Sequence, residues 1–78
     1  MIPVFNSTGE AENFGIQNKG DISVLVELLV VRAESLKKFH DLMANHDIPK
    51  DVFNECLRLV VQAQMCREAY EAATGSAL

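Results

Sequence analysis

The segment Asn45-His46-Asp47-Ile48-Pro49 separates two long runs of helically spaced apolar side chains. It carries three stop signals in five residues. Asparagine can close a helix, aspartate favours a turn, and proline disfavours helical backbone in the residue before it. Pro49 suits the first turn of a following helix, with Asp47 as its cap and Asp51 favourable to its dipole. Two helices joined by so tight a turn must lie antiparallel.

The first run begins at Asp21 or Ser23, either of which offers a side-chain oxygen to the orphan amides of a first turn. It predicts a helix over about 22–46. Leu25, Leu29, Leu36, Phe39 and Met43 form a stripe of alternating four- and three-residue steps, interrupted by Arg32. The second run predicts a helix over about 49–73. Its stripe is Phe53, Cys56, Val60, Ala63 and Tyr70, interrupted by Arg67, and Thr74-Gly75-Ser76 ends it. A competing reading makes residues 21–31 a buried strand, because Ile22, Val24, Val26, Val30 and Val31 are β-branched. The lack of any turn residue between Val31 and Arg32 favours one continuous helix.

Residues 1–20 hold three of the four glycines, one of the two prolines and interspersed apolar residues without helical period. They predict an extended arm or short hairpin. The expected fold is therefore all-α: an extended N-terminal arm over 1–20 and an antiparallel two-helix hairpin over 21–78. Its assembly into a helical bundle by oligomerisation is expected from the distribution of apolar residues.

Seven of the eight residues from Val24 to Val31 are apolar, with Glu27 the exception. At about 100° per residue they surround the helix, whereas one antiparallel partner covers a stripe of only about 100–140°. The second helix repeats this in milder form, with Leu57, Leu59, Val61 and Met65 off its main stripe. Each Leu or Val left in water forgoes about 1.5–3 kcal/mol. A chain of 78 residues has little stability to spare. Burial between chains resolves the conflict, most simply in a symmetric dimer. The expected interface comprises Val24, Leu25, Leu28, Leu29, Val31, Leu57, Val60 and Val61. Arg32 and Arg67 join it, either as buried polar residues that fix register or as stems snorkelling to water.

Charge narrows the partners. The net charge is −4, made up of −1 over residues 1–20, −2 over 21–48 and −1 over 49–78. Nucleic acid is bound by neutralising phosphates, so an acidic chain without a basic stripe argues against it. A nucleic-acid-binding helical dimer using Arg32, Lys37, Lys38, Arg58 and Arg67 remains the alternative. Glu27, Glu34 and Asp41 recur every seven residues and read as a solvated face, with Lys37 and Lys38 as local partners. No stretch is long and apolar enough for a membrane span, and no secretory signal is recognisable.

The chemistry of sites is sparse. Cys56 and Cys66 stand ten positions apart, a rise of roughly 15 Å on one helix, too far for a disulfide between them. Free thiols suit a reducing compartment, and a cytoplasmic protein is expected. His40 and His46 fall about 120° apart on a helix and do not converge on a metal. A set made of both histidines and both cysteines matches no usual zinc spacing. No nucleophile, phosphate-binding loop or metal triad is recognisable. The expectation is a protein without cofactor, metal or catalytic site. It would act as an adaptor, an inhibitor, a chaperone-like cap or a structural subunit, binding itself or another protein.

Overall fold

A computed structural model describes residues 2–44 and 47–78 of the chain. Those residues form three helices and no strand: α1, Thr8–Gln17; α2, Ile22–Met43; and α3, Lys50–Thr74. The molecule measures 43 × 22 × 20 Å, about as long as α3 with its flanking residues and two helices across. α2 and α1 each pack along α3, and among the described residues no Cα of α1 comes within 8 Å of α2. α3 is thus the shared spine.

The extended arm expected over 1–20 is corrected by α1. Ser7 caps this helix, its Oγ accepting from the Glu10 backbone N–H at 3.2 Å. Glu10 reaches back and accepts from the Asn6 N–H at 2.8 Å. This is a variant of the capping box, written in the sequence as Ser7-Thr8-Gly9-Glu10. Apolar periodicity is weak because α1 buries small residues, Ala11 and Gly15, one turn apart. Among the described residues, 2–6 precede the helix and its cap as an arm. From it Phe5 packs edge-on against Phe14, with ring centroids 5.4 Å apart.

α2 starts where expected. Asp21 is its cap and accepts from the N–H groups of Ser23 at 3.1 Å and Val24 at 3.4 Å. The segment 22–31 is helix, so the strand alternative is excluded. α2 ends at Met43, and the expected extension to Asn45 and His46 lies outside the described residues. α3 begins one residue later than expected. Pro49 is its N-cap, without a side-chain hydrogen bond, so Asp47 does not cap it. Gly75 ends α3 in the left-handed region at φ 72°, as the sequence indicates.

The buried faces follow the expected stripes in part and are rotated from them elsewhere. In α2, Leu28 and Ser35 are buried, whereas Leu29 and Met43 are exposed. In α3, Cys56 and Ala63 are buried as expected, joined by Cys66, Ala69 and Ala73, whereas Phe53 and Val60 are exposed. The cause is α1. Serving two neighbours, α3 turns its small residues inward so that both backbones can come close. The core joins Phe5, Ala11, Leu28, Cys66 and Ala69, with Val24, Val31 and Tyr70 among the residues packed on it. It sits toward the start of α2 and the end of α3, away from Met43 and Lys50.

Candidate protein-interaction surface

The arm and α1 cover one broad side of the α2–α3 pair. Val24 and Val31 mark that side on α2, and Cys66 and Ala69 mark it on α3. At about 100° per residue, the opposite side of α2 carries Ile22, Val26 and Leu29 along its first half. The opposite side of α3 carries Phe53, Leu57 and Val60 along its own first half, with Val61 at the edge. In an antiparallel pair these halves lie at opposite ends. The apolar strip therefore runs obliquely across the uncovered side, from the start of α2 to the start of α3.

The side chains of this strip lie in water to an unusual degree. Ile22 is 74% exposed, Val26 52%, Phe53 50%, Leu57 51% and Val61 52%. Single exposed aliphatics are ordinary on any protein. Here they follow one another at helical steps, and contiguous apolar patches mark binding surfaces.

The residues expected at an interface divide into two groups. Leu29, Leu57, Val60 and Val61 are exposed on or beside the strip. Leu25, Arg32 and Arg67 are half-buried along the seam between α2 and α3. Leu28 is only 1% exposed and is occupied by the chain's own core, and Val24 and Val31 pack against that core. Sequence reasoning missed Phe53, Ile22 and Val26 as surface residues. It placed Phe53 in the helix–helix seam and assigned neither Ile22 nor Val26 to the interface.

The two corners beside the strip differ in charge. Lys37 lies on the second half of α2, and Gln64, Glu68 and Glu71 lie on the second half of α3. Arg67 pairs with Glu71 within its own helix, Nε to Oε1 at 2.9 Å. Glu68 accepts from Gln64 Nε2 at 2.8 Å. Arg58 likewise lies 3.9 Å from Glu55 in its own helix, in an exposed pair.

A groove of about 510 Å³ adjoins the strip, lined by Val4, Phe5, Leu57, Leu59 and Val61 and rimmed by Glu55, Arg58 and Gln62. It continues along α3 the track that α1 fills at the other end. Leu57 and Val61 border both the groove and the strip, which makes the apolar surface continuous around the first half of α3.

Both thiols are free and buried on α3. Burial pushes the Cys66 thiol above its ordinary value, opposed by the Arg32 charge and by a hydrogen bond from Gln62, whose Nε2 lies 3.9 Å from Sγ. Among the described residues no three His, Cys, Asp or Glu side chains gather where they could hold a metal ion. His46 lies outside those residues. No helix among them is long and apolar enough to cross a membrane. In comparisons with known proteins, no family model matches the chain, and neither a curated protein nor a solved structure does.

Proposed function

We propose that this chain is a protein-interaction module that binds through the oblique apolar strip of α2 and α3. The observation that carries the reading is the run Phe53, Leu57, Val60 and Val61, four large side chains exposed on a helix whose other faces already hold α1 and α2. Leaving such side chains in water forgoes about 1.5–3 kcal/mol each. A partner that covers them recovers much of that. The role follows as adaptor, inhibitor or chaperone-like subunit, one that holds another polypeptide and performs no chemistry on it. Two free thiols suit such a protein in the cytoplasm.

Site-specific photo-crosslinking in cells tests this reading. A benzophenone side chain at Leu57 or Leu29 is expected to capture protein. The same group at Glu34, on the solvated side of α2, is expected to capture little. Equal capture at all three positions, or none at Leu57, would remove the strip from consideration.

A further inference from the structure

We infer that the strip is covered by a second copy of this chain, in a two-fold dimer whose symmetry axis runs along the strip. This inference rests on the interaction reading above and names its partner. Two observations carry it: the size of the strip and the charges beside it.

Size comes first. Ile22, Val26 and Leu29 on α2 and Phe53, Leu57 and Val60 on α3 are all exposed, from 74% for Ile22 to 37% for Leu29. With Val61 at the margin, they leave roughly 600 Å² of apolar surface in water, against the 800 Å² or so of total surface that each partner gives a standard interface. That stands at the top of the range for the largest patch of a typical monomer, about 300–600 Å², where such patches are often binding sites. A small peptide would leave much of it uncovered. A second strip of the same length and composition matches it along its whole course.

Charge then selects the geometry. A two-fold axis within the interface can lie along the strip or across it. An axis across the strip superposes like corners, Lys37 upon Lys37 and Glu68 upon Glu68. An axis along the strip exchanges the corners. The Lys37 corner of each copy then faces the Glu68 corner of the other, while apolar still meets apolar. Because the strip is oblique to the helices, the two hairpins cross at an angle instead of lying side by side. The symmetry is closed, so assembly stops at two copies.

The test is absolute mass by light scattering behind a sizing column, over a hundredfold range of concentration. The wild-type chain is expected to approach twice its 8.6 kDa monomer mass. Leu57→Asp is expected to give a monomer with an unchanged helical circular-dichroism spectrum, because Leu57 is 51% exposed and its loss spares the core. Lys37→Glu and Glu68→Lys should each weaken dimerisation several-fold by placing like charges together, and the double exchange should restore it.

A wild-type monomer throughout overturns the inference. If Leu57 still crosslinks to a different protein, the interaction reading stands without it. A dimer that persists in folded Leu57→Asp overturns the proposed interface. Failure of the double exchange to recover what the single exchanges lose overturns the axis. Growth beyond two copies, or binding of the monomer to neutral phosphatidylcholine vesicles in place of dimerisation, also overturns it.

Discussion

A methyl group on Gly15 would fall on the carbonyl oxygen of Ala69 and lie 3.0 Å from the Ala72 Cβ. α1 therefore meets α3 through bare backbone. The obstacle is main chain within a helix, which cannot swing aside as a long side chain can.

Gly15→Ala is accordingly expected to destabilise the chain by about 1–3 kcal/mol, the usual cost of overpacking, despite alanine's better helix propensity. Gly9→Ala supplies the control. Its new methyl would have only Ser7 Oγ near it, at 3.8 Å. That variant should be neutral or up to about 1 kcal/mol more stable. Urea midpoints of the two variants test the contact, and a Gly15→Ala midpoint at or above that of wild type would refute it.

Leu28 and Leu29 are neighbours in sequence with opposite fates, 1% against 37% exposed. Leu28→Ala should cost about 2–5 kcal/mol by opening the core among Phe5, Ala11, Cys66 and Ala69. Leu29→Ala should cost under about 1 kcal/mol in dilute solution, where each chain stands alone. Equal losses in thermal or urea unfolding would contradict the rotation of α2 described above.

The buried Cys66 thiol gives the stability a pH dependence. Its pKa is raised above the ordinary 9.0, so the unfolded chain releases this proton at lower pH than the folded one. The contribution is fully present below about pH 9 and is lost as pH rises through the folded value, by at most about 1.4 kcal/mol per unit. Urea midpoints near pH 8 and pH 10 should fall further for wild type than for Cys66→Ala. Parallel falls would mean that this thiol ionises alike in both states.

Much of the long-helix pattern was legible in the sequence, because its signals are local. Asp21 caps α2 and Gly75 closes α3, each doing what its side chain or lack of one permits. The segment before Asp21 was misread for the same reason. Its decisive signal was the pair Ser7 and Glu10, whereas its buried face of Ala11 and Gly15 produces almost no hydrophobic period. The candidate surface was half legible. An excess of apolar residues shows in composition, but which of them reach water depends on how many neighbours α3 serves. Leu28 and Leu29 exchange places for that reason alone. Phe53 likewise lies outside a seam that only a two-helix fold would have given it.

The arrangement of α1 carries a consequence for how the molecule breathes. Ten residues are too few to hold a helix unaided in water, where about 12–15 are marginal. Among the described residues no Cα of α1 comes within 8 Å of α2, so α3 is the helix that carries it. Undocking and melting of this segment are therefore one event, and its backbone amides should exchange with solvent hydrogen as a block, at one shared rate. α2 and α3 can remain paired while that happens. The chain thus has two tiers of protection, and the lower one ends at the loop before Asp21.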